Sequence, residues 1–554
     1  MKTPILGGTY VARSVNAADA RMVNLFPETV PEGGKEPGFL NRAPGLQLLA
    51  NMGDGPVRGL WQFGGYGYAV SGESLYKIDS LFNTTLIGTV AGSAGPVSMS
   101  DNGTQLFIAC NGPSFIYNSL TLAFAQITDP DFPGAVTVGY LNGYFVFNEP
   151  NSQRLWITQL LDGQSIDPLD FASAEGSPDG LVSILIDHRE AWLFGTNSVE
   201  VWYDAGTSPF PLVPVQGAFN EVGCIAAFSV AKLDNGIFWL GADARGKGIV
   251  YRANGYTAQR VSTHAVEWQI QQYGNLSDAI AYTYQQDGHS FYVLIFPSAN
   301  TTWVFDVATS LWHERAAFIN GSFTRHRSNC QMAFNNKIVV GDHELGNIYA
   351  FDLDVFSDAG AVQKWLRSWR ALPTGTNDLK RTAQHSLQLD AETGAIDASV
   401  TTTIVITDIS DPNDELLTES NDVLAWEFFN PDSLIPQSLL TESGDIIVQE
   451  DGSFMYYDEA SSTIGGALLI ETGLPTATAI DPQVMLRWSD DGGHTWSNEH
   501  WRSMGKTGEW GRRVIWRRLG MTLKLRDRVY EVSGTDPIKI AIMGAELKMS
   551  ATNV

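Results

Sequence analysis

From residue 382 to residue 486 this chain has no lysine and no arginine. The same 105 residues carry 19 aspartates and glutamates, leaving only −7 of the net −26 for the rest of the protein. Phosphate contacts need Lys and Arg, so this block is excluded as a nucleic-acid grip. It could be a surface that keeps a polyanion from sticking, or simply a solubilising face. Cysteine is nearly absent as well. Cys110, Cys224 and Cys330 lie more than a hundred positions apart, which excludes a legible disulfide framework or zinc spacing and points to buried free thiols in a reducing compartment. Long apolar runs are missing: the longest, Phe291 to Phe296, is far short of a membrane span. Met1-Lys2-Thr3-Pro4 leads into Gly and Thr rather than an apolar segment, so a soluble intracellular product without a secretory signal is expected. Strongly periodic helical stretches are scarce.

Glycine and aromatics are abundant instead, with 54 Gly, 27 Phe, 18 Tyr and 16 Trp, a composition suited to turn-rich β structure. From Val57 to about Phe356 one pattern recurs: an apolar strand, a tight turn, an alternating aromatic or β-branched strand, then a third strand. The turns fall at Gly64-Gly65, Asn102-Gly103, Asn142-Gly143, His188-Arg189, Asn235-Gly236, Asp287-Gly288 and Asn335-Asn336. Four are Asn-Gly or Asp-Gly, dipeptides that accept positive φ in a two-residue hairpin. Their spacing of about 40 to 50 residues fits four-stranded propeller blades. Seven blades fit best, the last completed by an N-terminal strand near Phe39 to Leu49; six blades with an irregular hairpin, or a series of sandwiches, are the alternatives.

Past Phe356 the rhythm breaks. The expected organisation is an N-terminal arm with the closing strand (1–56), a β-propeller (57–365), and a C-terminal β-sandwich-like domain in two parts (366–395 and 482–554). An acidic β-rich insertion (396–481) separates the two parts. The second part should hold strands at Val484 to Trp488, Arg513 to Leu519 and Ile538 to Ile542. The insertion contains an echo, Leu416-Leu-Thr-Glu-Ser and Leu439-Leu-Thr-Glu-Ser with a looser Leu468-Leu-Ile-Glu-Thr, that suggests small stacked hairpins with Ile404, Ile447 and Val448 inward. Its acids Asp411, Asp414, Glu415, Glu419, Asp422, Glu442, Asp445, Glu450 and Asp451 form a candidate lumen or distal surface.

Chemistry-bearing motifs are few. Ser489-Asp-Asp-Gly-Gly-His-Thr-Trp496 matches the Asp-box, in which Asp491 ties down the turn backbone and Trp496 packs beneath, with Ser489, Gly493 and Thr495 completing the pattern. The motif specifies a hairpin and is almost silent about activity. A sialidase would repeat it across blades and add three arginines and a paired tyrosine. The nine histidines are scattered, with no two-histidine metal spacing. Asp352-Leu-Asp354 and Asp451-Gly452 fail the calcium-loop pattern. Neither a Gly-rich phosphate cradle nor a Gly-x-Ser-x-Gly is present, so neither catalysis, metal nor cofactor is expected. Positive charge is concentrated at Arg502, Lys506, Arg512, Arg513, Arg517, Arg518, Lys524, Arg526 and Arg528, opposed only by Glu509 and Asp527. With Trp501, Trp510 and Trp516 interleaved, the strip could bind nucleic acid, or it could dock onto an acidic neighbour.

Tyr10, Arg13-Ser14, Val23-Asn-Leu-Phe-Pro-Glu28 and Ala43-Pro-Gly-Leu46 resemble the opening of the tail nozzle proteins of short-tailed phages, also called packaged-DNA stabilisation proteins or tail accessory factors. Pro482-Gln-Val-Met-Leu-Arg-Trp-Ser-Asp-Asp-Gly-Gly, Gly508-Glu-Trp-Gly-Arg-Arg and Trp516-Arg-Arg-Leu-Gly520 resemble the same family. The resemblance spans nearly everything except 396–481 and rests on the order and spacing of these segments. It implies a structural virion tail protein, assembled in the host bacterial cytoplasm. Six copies would form a homohexameric ring below the portal and its head-to-tail adaptor protein. That ring would extend the channel, retain packaged DNA with a tail needle or plug, and support tailspikes or fibres. Double-stranded DNA would pass through during ejection without sequence-specific binding. A receptor-binding tail protein and a propeller glycosidase are the alternatives.

Overall fold

The computed structural model describes residues 1–13, 18–30, 34, 36–174, 176, 179–208, 210–243, 246–372, 381–396, 481–506, 512–522 and 528–551, with short strands at 404–406, 416–417, 423–424 and 468–470. It is nearly all strand and contains seven blades. Blade 1 is Val57–Phe63, Tyr66–Ser71, Ser74–Ile78 and Thr84–Thr89; blade 2 is Ser98–Asp101, Gln105–Ala109, Ser114–Asn118 and Phe124–Gln126. Blade 3 is Val138–Leu141, Tyr144–Asn148, Arg154–Ile157 and Phe171–Ser173; blade 4 is Leu181–Asp187, Glu190–Gly195, Val199–Asp204 and Leu212–Asn220. Blade 5 splits its first strand into Gly223–Cys224 and Ala231–Leu233 and continues through Gly236–Asp243, Gly246–Asn254 and Thr257–Arg260. Blade 6 is Ile280–Gln286, His289–Phe296, Thr301–Asp306 and Leu311–Glu314; blade 7 is Ser328–Phe334, Lys337–Asp342 and Asn347–Asp352. Each blade packs between two others, so its middle strands are buried on both faces. The longest apolar run of the chain is therefore the second strand of blade 6, with Phe291 to Phe296 all buried.

The fourth strand of blade 7 comes from the N-terminus. Gly45–Asn51 pairs antiparallel with Asn347–Asp352, and the ring closes without a free edge at that blade. An N-terminal strand thus completes the last blade as expected, but it begins at Gly45 and not near Phe39. Gly38–Arg42 pairs instead with Leu25–Thr29 and Ile538–Ala551 in the C-terminal sandwich. Ala43-Pro44 separates the two roles, since proline has no N–H to carry a ladder onward.

All seven turns join the first and second strands of their blades. In blade 5 the turn residues are Asp234 and Asn235, one place earlier than expected, because Leu233 pairs with Gly236. Both central residues have positive φ in six blades, including His188 (48°) and Arg189 (65°); in blade 2 only Gly103 does. The turns also lace the blades together. Asn142 Nδ2 donates to Asp204 of blade 4 at 2.8 Å, Tyr256 OH of blade 5 to Glu190 at 2.5 Å, and Asn335 Nδ2 to the Ser80 carbonyl of blade 1 at 2.7 Å. A first turn thus repeatedly meets the third-to-fourth-strand turn of the next blade, which puts both sets on one face of the ring.

One sheet of the sandwich is Leu25–Thr29, Gly38–Arg42, Ile538–Ala551, Thr382–Ile396 and Val514–Arg517. The other is Trp365–Arg370, Val529–Gly534, Gln483–Ser489 and His500–Ser503. Between them lies a core built on Trp365, Trp369, Leu387, Leu389, Leu486, Trp516, Tyr530 and Ile542. The second sheet does not stop at the domain border. Met22–Val23 pairs with Trp365–Arg370 on one side and with Leu311–Glu314 of blade 6 on the other, giving one nine-stranded sheet.

Residues 398–480 form a separate compact unit. Its described strands pair as Ile404–Ile406 with Leu468–Ile470 and Leu416–Leu417 with Val423–Leu424. Two of the three echoes therefore belong to different small sheets. The third, and the expected inward positions Ile447 and Val448, lie outside the described residues, as does the side chain of Ile404.

Candidate docking interface

Val514–Arg517 is the edge strand of the first sandwich sheet. Strand alternation sends Val514 and Trp516 into the core and leaves Arg513 and Arg517 outside. Arg512 and Arg518 are exposed too, and Arg518 sits in left-handed backbone at φ 60°. His500–Ser503, the edge of the second sheet, lies alongside: Trp516 Nε1 donates to the His500 carbonyl at 2.8 Å, and Arg502 Nε to the Ile515 carbonyl at 3.3 Å. Trp501 is 50 % exposed on that edge. The two edges together present an indole among arginines, a surface suited to an acidic, partly apolar partner.

Arg528 does not belong to this surface, contrary to the sequence-based expectation. It is 2 % exposed, pairs with Asp490 through Nε–Oδ1 at 2.7 Å and Nη2–Oδ2 at 2.9 Å, donates to the Leu519 carbonyl, and lies over Trp488. A guanidinium has five donors, and here they are turned inward to satisfy a carboxylate and backbone carbonyls that burial would otherwise strand. Lys524 and Arg526 lie outside the described residues, as do Asp411, Asp414, Glu415, Glu419, Asp422, Glu442, Asp445, Glu450 and Asp451.

The Asp-box forms a tied turn. Asp491 accepts from Ser489 Oγ at 2.6 Å, Thr495 N at 2.9 Å and Thr495 Oγ1 at 2.6 Å, while Gly493 N donates to Ser489 Oγ at 2.8 Å. Those donors, the Ser489 hydroxyl first, hold the Asp491 carboxyl well below the usual carboxylate range. Trp496 lies under the Arg487 guanidinium at 4.8 Å, and Arg487 in turn pairs with Glu531. Asp490 takes two donors from Arg528 and Asp491 three from its own turn, so both carboxylates serve the local structure.

An open depression of about 660 Å³ lies on the turn face, lined by Asn142, His188, Arg189, Tyr203 and Asp204 among others. Asn142 and Asp204 bond each other, and Glu190 holds Tyr256, so much of its polar lining is committed to joining blades 3, 4 and 5. No group of three His, Cys, Asp or Glu suited to a metal occurs among the described residues.

Sequence reasoning missed the arginines of the seam. Arg367 Nε donates to the Ile5 carbonyl at 2.7 Å and Nη1 to that of Gly8, and burial pushes its pKa down to about 10. Arg42 donates to the carbonyls of Ile538, Phe356 and Gln363, and Arg21 pairs with Glu314 at 2.8 Å. The available signal was Trp365-Leu-Arg-Ser-Trp-Arg370, in which arginine interrupts an otherwise core-like strand.

Family models described as bacteriophage P22 Gp10, beta-propeller, and bacteriophage P22 Gp10, beta-sandwich, match residues 1–356 and 450–550. Among solved structures, virginiamycin B lyase from Staphylococcus aureus is 11 % identical and aligns over 55 % of this chain and 97 % of its own, with a TM-score of 0.38. The Cps50 (Swd1) beta-propeller domain of Myceliophteria thermophila is 9 % identical over 55 % and 98 % of the two chains, with a TM-score of 0.35. Scores this low carry no argument about what the chain does. No curated protein matches.

Proposed function

The chain belongs to the bacteriophage P22 Gp10 family, and on that premise we propose that it is a tail nozzle protein. It is a bacteriophage structural protein and a virion component; the finer reading concerns its place and its work. In that reading, six copies form a ring below the portal and adaptor. The ring extends the DNA channel, retains the packaged genome with a needle or plug, carries spikes or fibres, and releases DNA on ejection. Assembly takes place in the host cytoplasm, and no catalytic role is assigned.

The observation that carries this reading is the nine-stranded sheet that makes propeller and sandwich one hydrogen-bonded body. A channel wall must transmit force between partners without hinging, and a continuous β ladder does so. The exposed Arg512, Arg513, Arg517 and Arg518 supply the docking strip toward an acidic surface of the adaptor or of a neighbouring subunit. The acidic insertion fits a position near the channel exit. Six copies of the lysine- and arginine-free stretch would bring −114 formal charges there, felt by DNA within a Debye length of about 8 Å.

Imaging the purified chain mixed with portal–adaptor complexes tests the placement. A ring should appear below the adaptor, and no binding would overturn the reading. Changing the four arginines to Glu should abolish incorporation while the thermal melt stays unchanged; normal incorporation of that folded variant removes the docking role. Replacing a dozen of the acids by Asn or Gln should slow ejection at low salt, and unchanged ejection would remove the lumen role.

A further inference from the structure

Blades 1 to 3 carry leucines where a soluble surface has no use for them. Leu81 is 79 % exposed, Leu120 77 %, Leu122 67 % and Leu161 60 %, with Leu160 beside them at a similar level. All five occupy the turns between third and fourth strands, which share a face with the first turns. The Asn102 side chain reaches the Leu161 carbonyl at 3.5 Å, and Leu161 N donates to the Gly143 carbonyl, so the blade 3 turn lies over the first turns of blades 2 and 3. Leu122 and Leu161 have φ of 59° and 60°. Left-handed backbone costs a bulky residue about 1 kcal/mol or more, and glycine or asparagine would relieve it. Both turns thus hold an exposed leucine in an unfavourable conformation. A run of exposed apolar side chains on adjacent turns marks an interaction surface.

Charge indicates what covers it. Between Lys77 and His188 the chain has eleven aspartates and glutamates and a single basic residue, Arg154. Arg154 is engaged over Phe171, and Lys77 lies over Tyr66 at 3.5 Å. Asp79, Asp101 and Asp162 sit in or beside the leucine-bearing turns. A complementary occupant needs positive charge around an apolar group. The edge described above has that chemistry: Trp501 with Arg513, Arg517 and Arg518. The sandwich joins the ring at blade 6, and blades 2 and 3 each lie three blade positions from it, on the far side of a seven-bladed ring.

We propose that the leucine face of blades 1 to 3 receives the basic Trp501 edge of a second copy of this chain, in a head-to-tail contact. The two patches differ, so the contact is heterologous: each copy uses both patches, and contacts propagate from one subunit to the next. This rests on the multi-subunit reading of the nozzle and names the surfaces that would join its subunits.

The full chain is examined by sedimentation velocity at low and high salt. The expected result is self-association that weakens as salt rises; a wild-type chain that stays monomeric at low salt overturns the proposal. Two surface variants follow, one with Leu81, Leu120, Leu122, Leu160 and Leu161 changed to Ser, the other with Arg513, Arg517 and Arg518 changed to Glu. Each should raise the dissociation constant by roughly 100-fold while the melt is unchanged, since a few buried anchors dominate an interface. Mixing the two restores one intact contact per pair, so heterodimers should form and grow no further. Wild-type association of the leucine variant, or mixtures that stay monomeric, overturns the proposal. If either occurs while the wild-type chain still binds portal–adaptor complexes, the nozzle reading stands and only this interface falls.

Discussion

At the seam between the ring and the sandwich, arginines are buried and aimed at backbone carbonyls; on the turn face of blades 1 to 3, leucines are exposed and Arg154 is the one basic residue between Lys77 and His188. Arg42, Arg367 and Arg528 are each almost wholly buried. Two of them join segments far apart in sequence: Arg42 reaches Phe356 and Ile538, and Arg367 reaches Ile5 and Gly8. The N-terminal arm is irregular where it crosses between domains, and irregular backbone under cover must find donors for its carbonyls. Arginine suits that task because its charge survives burial and its donors fan out in one plane. The turns of blades 1 to 3 have a different problem. Their backbone groups are satisfied locally, as where Asp79 accepts from Leu81 N and Asn83 N, so their side chains are available for a partner. One region closes the molecule on itself and the other leaves a surface open.

Removing a seam donor is the harshest way to probe the difference. Arg42→Met keeps the length of the side chain but strands the carbonyls of Ile538, Phe356 and Gln363. It should cost about 4 kcal/mol or more, read as a lowered urea midpoint and early proteolytic release of the N-terminal arm. Asp490→Asn, which leaves buried Arg528 short of a counter-charge, should cost about 3 kcal/mol in the same measurement. Multiple Leu→Ser changes on blades 1 to 3 should leave the urea midpoint within error. Equal losses in both regions would dissolve the contrast.

Acid should strike the same side of the ring. His313 is buried beside Phe26 and Phe291, and neither ring nitrogen has a hydrogen-bond partner. Burial, with Arg315 and His289 nearby, holds its pKa well below the ordinary value, and His326 is pushed down to about 3. Both are neutral in the folded state while the unfolded chain protonates them near 6.5. Their contribution is therefore fully present above pH 6.5 and is lost as pH falls below it, for His326 toward about 3. His289 has the opposite sign, since Asp306 raises its pKa: it stabilises below 6.5 and loses that contribution as pH rises through its raised value. His313→Phe should therefore shift the acid-unfolding midpoint downward, with the gain over the parent chain confined to pH below 6.5. His289→Phe should shift the midpoint upward. An unchanged acid limb in His313→Phe would remove this residue from the account.

Much of the propeller was legible because turn chemistry is local. Asn-Gly and Asp-Gly at regular spacing reveal the blade repeat without knowledge of what packs where. The N-terminal arm was not legible in the same way. Leu25–Thr29, Gly38–Arg42 and Gly45–Asn51 share one apolar pattern, yet two join the sandwich and one the propeller. Pairing across about 300 residues or more leaves no mark in a local window. Arg528 was misassigned for a related reason: a run of arginines reads as one strip, whereas Asp490, 38 positions away, takes one of them inside. Exposed leucines escaped notice because composition cannot distinguish a leucine on a turn from one in a core.

The smallest effect expected is at a turn the sequence treats differently from its neighbours. His188-Arg189 adopts positive φ at both residues, where Gly64-Gly65, Asn142-Gly143 and Asp287-Gly288 place glycine at the second position. Arg189 at φ 65° carries a Cβ in a region that costs about 1 kcal/mol or more. Arg189→Gly should relieve that strain, less the extra backbone entropy glycine loses on folding. The net gain should be about 0.5 kcal/mol, a rise of roughly 0.4 °C in Tm. Arg189→Ala removes the same side chain but keeps the Cβ, so it should bring no gain. A matching rise in both variants would show that the guanidinium, not the backbone, is what blade 4 tolerates at a cost. The turn would then join the leucine face as a place where surface chemistry has been kept against stability.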